Sequence, residues 1–253
     1  MKLCRNYSID MAISKGYHRF KCRLEFFRRD VEMADMLCSY QEQKAPFSAL
    51  FQKVDKELYP MLSGRKQSDA ATIHLLTHLR ATINVAFIKE LYEEVTEYFR
   101  YILLQATLSG VEPEQIIGNS DIKMSAQELL SLPSDRDVKL AVVNKIFWKL
   151  EGEKSTLTIL QKMNNRLGLG VDAQLMEAAI PYLKCRHIFV HSDGVPDAEF
   201  RKAYPNIKRG PNGRIKADLA FVRAAYNAVE TLLLAYDAEM LSHGYFLDEE
   251  KQN

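Results

Sequence analysis

The chain has 253 residues, 47% hydrophobic and 26% charged, with a formal net charge of +1. These proportions exclude a disordered or fibrous chain, and the near-neutral balance excludes a polycation, so any nucleic-acid binding must come from local basic patches. No run of about 18 apolar residues is present, so no membrane span is expected. The four cysteines, Cys4, Cys22, Cys38 and Cys185, form no zinc-type spacing. The start "MKLCRNYSID" has no apolar run behind its basic residues, so it does not read as a secretory signal. A reducing, cytoplasmic compartment with free thiols is expected.

In chain order the pattern is helix after helix. Residues 23–43 place Leu24, Phe27, Val31, Ala34 and Leu37/Cys38 on one face, at steps of three and four. Residues 68–110 open on a Ser68/Asp69 cap signal and close at Gly110. That stretch is long for one helix and reads as two, or as one bent near Thr82–Asn84. Residues 112–134 read as loop plus a short helix, with Ser125 and Glu128 forming a capping-box signature.

An amphipathic helix is predicted over 135–152, with Val138, Val142, Ile146 and Leu150 in register. The next stops at Gly168 or Gly170. Residues 172–194 form another, interrupted by Pro181. A loop follows over 195–216, with a turn at "PNG" and a short extended piece at "GRIKA", and a last helix runs over 217–246. Strand signals are nearly absent. The expected fold class is therefore all-α, a helical bundle.

The stretch "YLKCRHIFVHSDG" crowds Cys185, Arg186, His187 and His191 into an otherwise apolar helix. Such residues are avoided in a core helix unless paired or used. A structural reading has Arg186 and the histidines capping free carbonyls at the helix end. A metal reading pairs His187 with His191 at i and i+4, with Asp193 or Cys185 as a third ligand, but Arg186 is a poor neighbour for a dication; His74 and His78 form another such pair with no acid or thiol at a usual spacing. A protease reading would use Cys185, its thiol activated by Arg186. A catalytic reading gives His191 proton transfer near neutral pH and Arg186 the charge of a phosphate. That pair suits RNA cleavage by a ribose 2′-OH, with no metal or cofactor. Positions i and i+5 are about 140° apart on a helix. The long Arg186 side chain, fraying at the helix end, or a second copy across a two-fold axis would be needed to join them.

At these residues the chain resembles the HEPN superfamily (higher eukaryotes and prokaryotes nucleotide-binding). Its ribonuclease members carry Arg, a polar residue, three further residues and His; here these are Arg186, His187, Ile188-Phe189-Val190 and His191. The "SDG" stop and the following helix match the family layout, and "EEVTEYFRYILL" resembles its helix bearing an acidic residue, placing Glu97 in that role with Glu90, Glu93 and Glu94 as neighbours. The resemblance spans about residues 70–245.

It implies a HEPN-type bundle over 66–246, with an N-terminal helical extension over 1–65 and a tail over 247–253. It further implies a homodimer whose motifs meet at the interface, and metal-independent endoribonuclease activity. Members serve in phage defence and as toxins, so an inhibitor or antitoxin protein joins the expected partners. Ser192 follows His191 where members silenced by a nucleotidyltransferase carry a tyrosine, so that form of control is not implied. A non-catalytic RNA- or nucleotide-binding module of the same type is the alternative.

Two segments can meet RNA phosphates. Residues 200–217 hold Arg201, Lys202, Lys208, Arg209, Arg214 and Lys216 with no acid among them. Residues 15–29 hold six cations against Glu25, with Tyr17 and Phe20 interleaved as stacking candidates. Phe147 and Trp148 read as core or dimer-interface residues.

Overall fold

A computed structural model describes residues 12–43, 57–59, 62, 69–112, 115–116, 123–151 and 156–252. Cys4, the Ser68 cap and the stop at Gly152 lie outside these. Eight helices are found among the described residues: α1 (Lys15–Gln43), α2 (Asp69–Leu108), α3 (Ala126–Leu130), α4 (Asp135–Glu151), α5 (Thr156–Arg166), α6 (Ala173–His191), α7 (Ala198–Ala203) and α8 (Leu219–Ser242). Two short strands, β1 (Ile13–Ser14) and β2 (Lys251–Gln252), pair antiparallel. The described residues are thus all-α apart from this two-residue ribbon and one isolated bridge. None of the described helices is long and apolar enough to cross a membrane.

The long α2 is the axis of the fold. It packs along α1 and also meets α4, α6 and α8. Its apolar residues recur on one side, burying Phe87, Ile88, Leu91, Val95, Phe99, Ile102 and Leu103. No break occurs at Thr82–Asn84. Instead, Asn84 is buried and its Nδ2 donates to the Ala217 carbonyl at 2.8 Å, joining α2 to the chain entering α8.

Helix α1 begins eight residues before the predicted start, because Tyr17 and Phe20 extend the buried stripe of Leu24, Val31, Ala34 and Cys38. Tyr17, Phe20, Leu24 and Val31 share one hydrophobic cluster with residues of α2, α4, α5, α6 and α8. Residues 17–31 thus pack on the same core as the later helices, and Lys251–Gln252 pair with β1. Fully buried Asp237 of α8 accepts from the Ser14 N–H at 2.8 Å, from the Ser14 hydroxyl, and from the Tyr98 hydroxyl at 2.9 Å. Burial raises the Asp237 carboxyl above its ordinary value, more than these three donors lower it.

Local signals hold at several ends. Ser125 and Glu128 make the reciprocal capping box on α3. Helix α5 stops before Gly168, at φ +64°. On α4 the buried stripe is Val143, Ile146 and Phe147, with Val142 packed beside it, so the predicted Ile146 is buried and Val143 and Phe147 join it. Phe147 is core, whereas Trp148 is 79% exposed.

Candidate functional site

Helix α6 carries the Arg186–His191 segment, and its ends are well defined. The Asp172 side chain caps the start by accepting from the Gln174 N–H at 2.8 Å. Pro181 sits inside without ending the helix. Its ring removes one N–H from the ladder, but Ala179, Ile180, Leu183, Cys185 and Ile188 bury the same side, and that packing holds the helix through. At the far end Asp193 (φ +50°) and Gly194 (φ +79°) turn left-handed, and the Ile188 carbonyl accepts from both Ser192 and Gly194. Glycine suits the second of these positions because it has no Cβ to strain.

The three motif side chains leave α6 in two directions. Arg186 turns toward α2. Its Nη2 donates to Glu93 Oε1 at 3.1 Å, and its guanidinium carbon lies 5.2 Å from the centre of the Tyr92 ring. Its buried Nε has no hydrogen-bond partner among the described residues. Among the described residues Arg186 bonds to no backbone carbonyl, so helix capping does not account for it. His187 and His191 face solvent. Both are exposed, one turn apart, with ring centroids 4.6 Å apart. Arg186 and His191 make no direct contact within one chain, in keeping with their angular offset.

The acidic partner is Glu93, not Glu97. Glu97 lies one turn further along α2, and its carboxylate is bound by Arg100 at 2.8 Å. The two glutamates share a stripe of α2, so sequence spacing could not separate them; only the placement of α6 across α2 selects Glu93.

Cys185 is no nucleophile. It is fully buried, its thiol donates to the Pro181 carbonyl at 3.0 Å, and burial pushes its pKa up to about 12. The neighbouring Arg186 points away to α2, so proximity in sequence brings no charge to the sulfur. His74 and His78 are exposed on α2. Among the described residues no three His, Cys, Asp or Glu side chains cluster as metal ligands.

The basic segment after the site is built as a short helix and a small hairpin. Helix α7 carries Arg201 and Lys202, and its start is capped by the Asp197 side chain. The hairpin closes through Lys216 N–H to Lys208 O at 2.9 Å, Gly210 N–H to Arg214 O at 2.8 Å and an Arg209–Ile215 bridge. The predicted turn at Pro211–Gly213 is its tip.

Two links fasten the hairpin to the end of α6. The Ile215 N–H donates to the Gly194 carbonyl at 2.9 Å, and Arg214 pairs with Asp193. All six cations are exposed, although Arg214 is engaged by Asp193 and Lys216 by Asp218 at 3.2 Å. Arg214 and Lys216 also line a cleft of about 490 Å³ that Arg80 and Thr77 of α2 close on the other side.

Most of the N-terminal basic segment is engaged in internal contacts. Tyr17 and Phe20 are buried, so neither is free to stack on a base. Arg23 pairs with Glu94 at 2.9 Å, Lys21 with Glu230 at 3.0 Å and Arg29 with Glu25, while Arg28 lies 4.1 Å over the Tyr226 ring. These cations mainly stitch α1 to α2 and α8.

The chain matches no family model, no curated protein and no solved structure. Its function therefore rests on the residues and geometry above.

Proposed function

We propose that the chain is a metal-independent endoribonuclease of the HEPN class, acting as a cytoplasmic homodimer in phage defence or a toxin–antitoxin-like system. The observation that carries this reading is the end of α6. Two exposed imidazoles stand 4.6 Å apart beside an arginine anchored by Glu93, and a basic hairpin is tied to the same helix end. In the proposed reaction His191 takes the proton of a ribose 2′-OH. The freed oxygen attacks the adjacent phosphorus, and the bond to the 5′-oxygen breaks. That leaving oxygen takes a proton from His187 or from the second copy's imidazole, giving a 2′,3′-cyclic phosphate and a 5′-hydroxyl end. Arg186 steadies the charge gathered on the phosphoryl oxygens, and Glu93 positions it. The hairpin and α7 cations hold the RNA backbone.

Arg186 and His191 diverge within one chain, so a composite site across a two-fold axis is part of the proposal. The test is cleavage of a labelled mixed-sequence RNA in excess EDTA by the wild type, His191→Ala and Arg186→Ala. Cleavage by the wild type alone, leaving cyclic phosphate ends, is the expected result. RNA binding without cleavage by all three would overturn it.

One observation favours a second reading. The Arg186 guanidinium is already engaged by Glu93 and Tyr92 and does not contact His191. A non-catalytic RNA- or nucleotide-binding module would tolerate that arrangement. Under it, His191→Ala lowers affinity and no preparation cleaves.

A further inference from the structure

A second cleft, of about 380 Å³, opens where α1, α2 and α4 meet the C-terminal segment. It lies on the α2 stripe that carries Glu93 but begins a turn further on, at Glu97. Three features point to a ligand. First, Arg19 of α1 and Arg136 of α4 both face it, and neither has an ion-pair partner among the described residues. Arg100 joins them, bound to Glu97. Second, Gln105 lines the cleft at 2% exposure, and its Oε1 has no hydrogen-bond partner. A buried amide oxygen left unpaired costs free energy that a donor on a ligand would recover. Third, the walls are mixed. Leu104 and Leu140 are apolar, and the Tyr101 ring carries Arg19 at 5.8 Å and stacks on Phe246.

We propose that this cleft binds a nucleoside monophosphate, at a site separate from the Arg186–His191 segment. Its volume falls in the range of small-ligand pockets. Arg19 and Arg136 supply the forked donors that suit a phosphate. The apolar walls of Leu104 and Leu140 hold a planar base, and Gln105 takes its amino or imino edge. Glu250, which accepts from the Tyr101 hydroxyl at 3.2 Å, is placed to accept from a ribose hydroxyl. The Glu97 carboxylate is engaged by Arg100 and does not repel the phosphate as an unpaired charge would.

The test is calorimetric titration of the full chain with AMP, CMP, GMP and UMP, each separately, and with inorganic phosphate. Saturable binding of at least one nucleotide at one site per chain is expected. Arg19→Ala and Arg136→Ala change exposed side chains and so preserve the fold; each should weaken binding about tenfold. Gln105→Leu should weaken the nucleotide and leave phosphate unchanged. The Arg186→Ala/His191→Ala double variant should bind as the wild type does, which separates this site from the proposed nuclease. No saturable binding by any of the four, indifference to both arginine variants, or loss in the double variant would each overturn the proposal. Phosphate binding as tightly as the nucleotides would overturn its nucleoside part.

Discussion

At the scale of single residues, the site is decided by which partner each side chain meets. Arg186 reaches Glu93, so Glu93→Gln should release the guanidinium and lower RNA cleavage by about tenfold to a hundredfold, the usual penalty for a misplaced catalytic group. Glu97→Gln should leave the rate unchanged, because its carboxylate serves Arg100. Parallel single-turnover assays check both, and equal losses would remove the distinction. Cys185 makes a different prediction. With its thiol buried and its pKa pushed up to about 12, it should resist iodoacetamide at pH 8 in the folded protein, while the part-exposed Cys22 reacts. Mass spectrometry of the alkylated peptides reads this directly.

Between elements, short connections set positions that neither element fixes alone. The hairpin at Lys208–Lys216 follows the end of α6 through the Gly194 carbonyl and Asp193. Lys208 and Arg209 have no ion-pair partner in the described structure and are the cations best placed for RNA phosphates. Replacing both by alanine should weaken RNA binding at every sequence tested. It should also reduce the salt slope of log K by about 1.4, two contacts at single-strand strength. Filter binding across a salt series would show it, and an unchanged slope would exclude the hairpin as a phosphate contact. At the other end of the bundle, Gly16 lets α1 approach α2 closely. A Cβ there would lie 2.2 Å from the Tyr101 ring. Gly16→Ala should cost about 1–3 kcal/mol in urea unfolding, the usual range for overpacking.

For the whole molecule, Asp237 is the point where β1, α2 and α8 are joined. Its carboxyl is raised above the usual 3.8, chiefly by burial. The folded chain therefore binds this proton more readily than the unfolded chain. Its contribution to stability is present at acid pH and is lost as the pH rises through the raised value. Compared with Asp237→Asn, the wild type should lose relative stability as the pH rises above the ordinary carboxylate range and through the raised value. Asp218, the cap of α8, has the opposite sign. Burial opposes its ionised form, but the Phe221 N–H and Lys216 outweigh it and hold the carboxyl low. Its stabilisation is present at neutral pH and fades as the pH falls. Asp218→Ala should cost about 1 kcal/mol at neutral pH, the usual value of a cap. Denaturation curves for both variants across pH check the two slopes together.

The sequence by itself determined the all-α class, the Ser125/Glu128 cap, the stop at Gly168, the turn at Pro211–Gly213 and the basic run beside the Arg186–His191 segment. These depend on neighbours a few residues apart, where periodicity and turn chemistry act. Tertiary structure decided the rest. It kept α2 unbroken at Asn84 and carried α6 through Pro181, because packing outweighs local propensity. It buried Tyr17 and Phe20, drew residues 15–43 and the C-terminal strand into one body, and left Trp148 outside. It chose Glu93 over Glu97, buried Cys185, and gathered Arg19, Gln105 and Arg136 around one cleft. Each of these depends on which faces of distant helices meet, and spacing along a single helix carries no record of that.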